Sequence, residues 1–195
     1  LIGARDAPQG YVVVRRAGRG PTLPQPLDVF DMVALTPAAA QTIWAFLGGH
    51  SALHDVIRWF GAPADPLSAL IDGAYLDVAF HQLWMTRIVN LPAAFQSRGY
   101  PRGSQFRLDF DVQDDLLKAN QGRWRLRVCD GAAIVTRGVD GTIPSNIRAL
   151  APLLSGYWRA SQLTELGWIR SKSDHDLELA NQLFSTTAPW MSDAF

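Results

Sequence analysis

Two segments of strictly alternating polarity constrain the fold of this chain more than any other feature. In residues 106–112 every second residue is apolar and the residues between are Arg or Asp, and residues 123–128 alternate arginines with apolar residues. Side chains on a strand point to opposite faces in turn, so each segment predicts a strand with one buried and one solvated face. Asp130-Gly131 then predicts a tight hairpin into a strand over residues 132–136.

Helices are predicted around this antiparallel meander. Ser145 is an N-cap candidate before apolar residues at helical spacing, a short helix is expected near residues 161–166, and Ser173 caps a further helix. Upstream of the meander, residues 83–89 predict a strand and residues 91–97 a helix. An antiparallel sheet whose one face is covered by helices is an α+β arrangement.

The first half of the chain begins with two strands. Residues 10–16 and 27–35 are rich in β-branched residues and are bounded by turn signals, so they predict an antiparallel pair. Simple alternation in the second strand places Val29, Asp31 and Val33 on one face.

A helix and a third strand complete this half. Thr36-Pro37 provides an N-cap followed by a proline at the first helical position, and Gly48-Gly49 is expected to end the helix. Residues 55–60 predict a strand and residues 65–73 a short helix. This part therefore predicts a small mixed α/β unit.

The two patterns predict two domains, residues 1–78 and residues 79–195. A chain of 195 residues with 48% hydrophobic content can form two small cores. The fold class is predicted to be α+β, with a mixed α/β domain followed by an antiparallel sheet covered by helices.

Composition disfavours several classes of function. Eighteen basic and eighteen acidic residues balance, so the basic patch typical of nucleic-acid-binding proteins is not expected. The apolar runs are much shorter than the roughly 20 residues of a membrane span. A single cysteine, Cys129, excludes an internal disulfide and favours a reducing, cytoplasmic setting. Because the chain begins at Leu1 and not at Met, we expect it to be a piece of a longer protein.

One segment formally matches a coenzyme-binding motif. Residues 15–20 read RRAGRG and fit R/Q-x-x-G-x-G/A, the pyrophosphate loop by which GNAT acetyltransferases hold acetyl-CoA. Such a loop needs a helix N-terminus directly behind it, but the proline-rich residues 21–26 cannot open one. We therefore predict a hairpin loop here and no functional acetyl-CoA loop.

The remaining reactive residue types favour structural roles. The four histidines share no short metal-ligand spacing, so no metal site is predicted; they are His50, His54, His81 and His175. Acidic residues at Asp174 and Asp176 fit the first turn of a helix. Four tryptophans could form an aromatic ligand cage but are expected to fill the core; they are Trp124, Trp158, Trp168 and Trp190.

The last ten residues are unusually apolar for a chain end. They include Pro189, Trp190, Met191 and a terminal Phe195. Burying a Phe side chain is worth about 1.5–3 kcal/mol, so we expect this end to be docked in packing. A docked end also holds its α-carboxylate, an acid/base group with an ordinary pKa of about 3.3–3.7, at a fixed place.

The first half of the chain resembles a known domain. Residues 10–16 (GYVVVRR), 33–40 (VALTPAAA), 44–47 (WAFL) and 65–67 (DPL), in this order, resemble the second GNAT-like domain of the Eis-type aminoglycoside and peptide N-acetyltransferases. The resemblance implies a GNAT-like fold for residues 1–78.

The second half resembles the domain that ends the same proteins. The matching segments are residues 83–95 (LWMTRIVNLPAAF), 98–100 (RGY), 120–126 (NQGRWRL), 183–184 (LF) and 189–190 (PW). They are similar to a sterol-carrier-protein-2-like (SCP2-like) domain, which is implied for residues 79–195.

The resemblance implies a function that this chain shares with further sequence. In the family an N-terminal GNAT domain binds acetyl-CoA, and it would lie before Leu1, so these 195 residues alone are expected to be inactive. The terminal carboxylate, here that of Phe195, acts as general base toward a small-molecule or peptide amine. A homo-oligomer, commonly trimer-based, is also implied.

Two other classes of function remain open. A sterol-carrier fold can bind a lipid or another hydrophobic ligand, and such a carrier needs a continuous apolar tunnel between sheet and helices. The domain could also serve only as a structural or interaction module.

Overall fold

A computed structural model describes residues 1–16, 25–62, 64–78, 84–103, 105–138 and 140–191. The described residues form two compact units. One consists of residues 1–78 with Trp190 and Met191, and the other of residues 84–189. The predicted domain boundary between residues 78 and 79 stays a prediction.

The first unit is a four-stranded sheet with one helix. Its strands are β1 (Ile2–Ala4), β2 (Ala7–Arg16), β3 (Leu27–Ala34) and β4 (Ile57–Trp59), in the order β1-β2-β3-β4. The first three strands are antiparallel, as predicted for β2 and β3, and β4 is parallel to β3.

Helix α1 (Pro37–Gly48) forms for the predicted reasons. The Thr36 side chain accepts a hydrogen bond from the amide of Ala39 at 3.2 Å. Ile43 and Leu47 lie one turn apart on the helix and are fully buried against the sheet. The predicted helix over residues 65–73 is wrong, because only short 3₁₀ turns occur at Ser68–Leu70 and Gly73–Tyr75.

A bulge in β3 overturns the predicted common face of Val29, Asp31 and Val33. Val13 pairs with Asp31 but Val14 pairs with Val29, so Phe30 is an extra residue in the ladder. Odd-numbered residues therefore face the core before Phe30, and even-numbered residues face it after Phe30. Leu27 and Val29 point into the core before the bulge, and the core is joined after it by Met32 and Ala34.

The sheet of the second unit is mixed. Its strands are β5 (Gln105–Gln113), β6 (Gly122–Cys129), β7 (Ala132–Arg137) and β8 (Ile143–Asn146), in the order β7-β6-β5-β8. The predicted antiparallel meander and its hairpin are confirmed, with φ of +46° at Asp130 and +82° at Gly131. The sequence did not predict β8, which lies parallel to β5.

Helices pack on the inner face of this sheet. They are α2 (Leu91–Ser97), α3 (Ile147–Ser155), α4 (Ala160–Glu165) and α5 (Asp174–Phe184). Ser173 caps α5 as predicted. The predicted Ser145 cap is wrong, because Ser145 belongs to β8 and Asn146 caps α3. The α+β fold class is confirmed.

The predicted strand over residues 83–89 is wrong for its described part, since residues 84–89 form no strand. The side-chain amide of Asn120 donates to the carbonyl oxygens of Ile88 and Val89 at 3.3 and 3.4 Å. The Asn120 side chain thus provides these carbonyl groups with the hydrogen bonds that a neighbouring strand would otherwise provide.

Candidate functional site

The chain end that carries the predicted general base is exposed where the structure describes it. Phe195 lies outside the described residues. Residues 185–191 form neither helix nor strand, and Trp190 and Met191 are 47% and 38% exposed. The prediction that Pro189, Trp190 and Met191 anchor the tail in packing stays a prediction.

The formal coenzyme motif is described only at its start. Arg15 and Arg16 end β2, and residues 17–20 lie outside the described residues. The predicted hairpin loop and the absence of a functional acetyl-CoA loop stay predictions.

Two histidines of the first unit are held by backbone carbonyls. His54 is 6% exposed, and its Nδ1 lies 2.6 Å from the carbonyl oxygen of Gln25. The Nδ1 of His50 lies 2.8 Å from the carbonyl oxygen of Phe46. His81 lies outside the described residues. Within the described ranges no group of three or more His, Cys, Asp or Glu residues could hold a metal ion.

In the part of the chain that the structure describes, no nucleophilic side chain is paired with a histidine that could act as its base. No serine or threonine hydroxyl there donates to a histidine, and Cys129 is an exposed free thiol at the end of β6. Asp174 and Asp176 lie in the first turn of α5, where the helix dipole favours acidic side chains.

The tryptophans occupy different environments. Trp124 is 7% exposed, donates through Nε1 to the carbonyl of Asn120 at 2.7 Å, and stacks under the guanidinium of Arg137 at 3.8 Å. Trp158 and Trp168 meet edge to face at 5.3 Å, with Trp168 48% exposed. The prediction of core filling is confirmed for Trp124 and wrong for Trp168 and Trp190.

A buried polar node that the sequence did not predict organises one end of α2. The Asp114 carboxylate has no exposed side-chain surface and accepts hydrogen bonds from Arg87, Leu116, Leu117 and Asn120 at 2.6–3.0 Å. Burial alone raises the pKa of the Asp114 carboxyl, but these hydrogen bonds outweigh burial and lower the pKa to about 2. The node therefore holds a fixed negative charge at neutral pH.

Asn120 extends this node to the helix. Its side-chain oxygen accepts a hydrogen bond from the amide of Leu91, the first residue of α2, at 2.9 Å. A signal existed in the sequence, since Asp and Asn are the residues that bond nearby backbone amides in turns. Which amides they reach depends on the fold, so the node could not be located beforehand.

A second charged cluster lies on the outer face of the sheet. Alternation placed Asp109 on the solvated face, yet Asp109 is 6% exposed. Arg107 and Arg125 enclose it, with the Nε of Arg125 at 2.7 Å from its Oδ1, and both arginines also bond Asp140. The hydrogen bond that Arg125 donates to Asp109 raises the pKa of Arg125. The register gave a signal, because Asp109 lies directly opposite Arg125.

A cavity of about 380 Å³ adjoins this cluster. It is bordered by residues of β5, of the segment before β8 and of the start of α5; they are Arg107, Asp109, Asp140, Thr142, His175, Asp176 and Leu179. Six of these seven residues carry polar or charged side chains, which offer hydrogen-bonding groups to a small charged molecule.

The space between the second sheet and its helices is filled by side chains. Phe95, Phe110, Leu150 and Leu163 have no exposed surface. Phe95 lies 5.5 Å from Phe110 and 5.8 Å from Phe184 between ring centroids. A further cavity, beside Trp158 and Phe184, is only about 50 Å³. Within the described ranges, this interior is packed solid and does not form the tunnel of a lipid carrier.

Two protein-family models match the chain in succession. The acetyltransferase (GNAT) domain matches residues 1–88, and the sterol carrier protein domain matches residues 91–192.

Curated relatives are N-acetyltransferases. An uncharacterized N-acetyltransferase of Streptomyces griseus is 30% identical over 181 residues, which cover 88% of this chain and 42% of that protein. The N-acetyltransferase Eis of Mycobacterium tuberculosis is 30% identical over 168 residues, covering 83% of this chain and 39% of Eis. The chain thus spans about two fifths of the length of these relatives.

Solved structures share the fold. A GCN5-related N-acetyltransferase from Anabaena variabilis superposes with a TM-score of 0.92 and 35% identity, over 100% of this chain and 50% of that one. Eis1 from Mycobacterium abscessus superposes with a TM-score of 0.77 and 28% identity, over 96% of this chain and 49% of that one.

Proposed function

We propose that this chain, which belongs to the sterol carrier protein domain family over residues 91–192, is the C-terminal part of an acetyl-CoA-dependent N-acetyltransferase. Residues 1–88 match the acetyltransferase (GNAT) domain. The observation that carries this proposal is the succession of these two domains in one chain. Relatives that align with most of it bear the name N-acetyltransferase. The substrate is proposed to be a small-molecule or peptide amine.

We propose that acetyl-CoA is bound by sequence outside these 195 residues. The chain spans only 39–42% of the aligned curated relatives and 50% of an aligned solved structure. The formal motif at residues 15–20 is followed by prolines at positions 21, 24 and 26, which cannot open the helix that a pyrophosphate loop needs.

We propose the carboxylate of Phe195 as the general base. An amine attacks a thioester only as the neutral species, so the substrate ammonium must first give a proton to a nearby acceptor. A terminal carboxylate is ionised at neutral pH and can accept that proton directly or through water. The new bond joins the amine nitrogen to the acetyl carbon and the carbon–sulfur bond breaks. The nitrogen loses a second proton, and the departing sulfur takes up one proton to leave as the thiol of coenzyme A.

The test of this role is a single-residue extension. Adding one glycine after Phe195 in the longer acetyltransferase moves the carboxylate by up to about 3.5 Å and is expected to lower kcat strongly while the protein stays folded. Replacing Phe195 with Leu keeps the carboxylate in place and serves as the matched control. Unchanged kcat in the extended protein would remove Phe195 from the mechanism.

Hydrophobic-ligand binding is the second candidate function, because the matching family is named for sterol carriers. The filled interior around Phe95, Phe110 and Phe184 argues against it. A titration with a fluorescent fatty acid distinguishes the two functions. We expect no saturable binding, and stoichiometric binding would favour the carrier.

We propose that the protein is a homo-oligomer, because the resemblance to the Eis-type acetyltransferases implies one. A light-scattering mass equal to one chain would contradict the proposal. No helix among the described residues is long and apolar enough to cross a membrane, and a cytoplasmic setting stays a prediction.

A further inference from the structure

The charged cluster on the outer face of the second sheet has the geometry of an anion site whose ligand position is filled by the chain itself. Arg107 and Arg125 stand side by side between two carboxylates. The buried one, Asp109, bonds the Nε of both arginines, at 3.0 and 2.7 Å. The other, Asp140, bonds the Nη2 of both, at 3.2 and 3.1 Å.

The two carboxylates differ in how firmly they are held. The side chain of Asp109 is 7% exposed, whereas that of Asp140 is 57% exposed. Asp140 lies in the connection between β7 and β8. Exposed ion pairs of this kind are worth only about 0–1 kcal/mol, so water or another anion can replace Asp140 with little loss. Asp109 cannot be displaced so easily, because its buried carboxylate would lose the arginines that pair its charge.

The guanidinium groups retain unused donors. Among the described residues no hydrogen bond involves Nη1 of Arg107 or of Arg125. Asp109 fixes the orientation of both groups, so a carboxylate arriving from solvent meets donors that are already arranged. Planar guanidinium groups are well suited to oxyanions for this reason.

We propose that this cluster binds a small carboxylate, which replaces the side chain of Asp140 between Arg107 and Arg125. In the exchange both arginines keep two carboxylate partners, while the displaced side chain of Asp140 turns to solvent. The adjoining cavity of about 380 Å³ has room for the body of the ligand. This site is independent of the acetyl transfer proposed above.

The rest of the cavity selects among carboxylates. Leu179 offers apolar surface, and Asp176 adds a negative charge to the lining. A polyanion would be repelled by Asp176. The lining therefore favours a singly charged carboxylate with a compact apolar body, and benzoate is a suitable probe.

The test is a titration of the whole 195-residue protein with sodium benzoate, followed through the arginine Nε–H signals in nitrogen-15 NMR. Sodium chloride at equal ionic strength serves as the blank. We expect saturable shifts of the signals of Arg107 and Arg125. Asp140→Asn removes the competing carboxylate and should tighten benzoate binding by up to about fivefold, whereas Arg107→Gln should abolish saturation.

Arg127→Gln is the matched control. Arg127 lies directly opposite Arg107 on the same face and makes no ion pair within the described ranges, so benzoate binding should not change. The proposal is overturned if chloride reproduces the shifts, if Asp140→Asn weakens binding, or if Arg127→Gln weakens it as much as Arg107→Gln. Circular dichroism shows whether each variant is folded, and Arg107, already 51% exposed, can be replaced without opening the core.

Discussion

The two units of this protein bury very different amounts of apolar side chain. The fully buried cluster of the first unit consists of Leu27, Val29, Ile43 and Leu47. The cluster of the second unit draws on every one of its strands and α-helices. The sheet of the first unit meanwhile leaves Val13 and Phe30 exposed at 49% and 56%.

Buried polar groups sharpen this contrast. In the second unit, polar side chains form hydrogen bonds at both ends of α2. Asp114 and Asn120 hold its start, and beyond its end Arg98 donates to the last carbonyls of α3 and α5 at 2.8–3.2 Å. Burial lowers the pKa of Arg98. The second unit is thus a self-sufficient scaffold, whereas small domains with little buried surface depend on further contacts.

The largest effect is expected from removing a large side chain of the second core. Phe110→Ala should lower the free energy of unfolding by about 3–5 kcal/mol, because it opens a cavity beside Phe95 and Phe184. Phe30→Ala in the first unit removes the same atoms from an exposed site and should change the free energy of unfolding by less than about 0.5 kcal/mol. Urea unfolding measures the change in stability for both variants. Equal changes would contradict the difference in buried apolar side chains between the two units.

The next largest effect concerns the buried node. Asn120→Ala removes the bonds to Leu91 and Asp114 and should cost about 1–3 kcal/mol, since buried partners lose their hydrogen bonds. Asn146→Ala removes an exposed helix cap of α3 and should cost about 1 kcal/mol. If Asn120→Ala unfolds at the same urea concentration as the unaltered protein, the node does not stabilise the second unit.

The pH dependence of stability should be concentrated in the second unit. The pKa of Asp114 is about 2 in the folded protein and 3.8 ordinarily. A lowered folded-state pKa contributes stability that is present above the ordinary value and is lost as the pH falls toward 2. Melting temperatures between pH 5 and pH 2 should therefore decline less steeply for Asp114→Asn than for the unaltered protein. Parallel declines would contradict this assignment.

The smallest effect is expected in the first unit. Thr36→Ala removes the cap of α1, whose oxygen accepts from the amide of Ala39, and should cost about 1 kcal/mol. Thr36→Ser keeps the hydroxyl and should be nearly neutral. Hydrogen exchange of the α1 amides gives the local readout, and identical exchange in both variants would show that the cap contributes nothing.

Local signals were sufficient for much of the fold. Asp130-Gly131 defined a hairpin and Thr36-Pro37 a helix start, because both act through their own backbone geometry. Features that depend on a partner far away in the sequence were not predicted. Strand β8 is short and contains Pro144, and it forms only because β5 lies beside it. The bulge at Phe30 is visible only once β2 sets the register.

The candidate site was less predictable than the fold. Alternation made Asp109 a solvated residue, but Arg125 on the neighbouring strand and Arg107 on the same strand cover it. Asp114 and Asn120 looked like ordinary turn residues. The role of Phe195 came from a resemblance alone, since one terminal carboxylate has no sequence pattern of its own.

Acetyl-CoA turnover by the 195-residue protein decides whether the coenzyme site lies within these residues. The assay follows thiol release with an amine substrate, and the longer protein proposed above serves as the positive control. Because the coenzyme is proposed to bind outside these residues, we predict no release above the uncatalysed rate from the 195-residue protein and clear release from the longer one. Saturable turnover by the 195 residues alone would contradict the account.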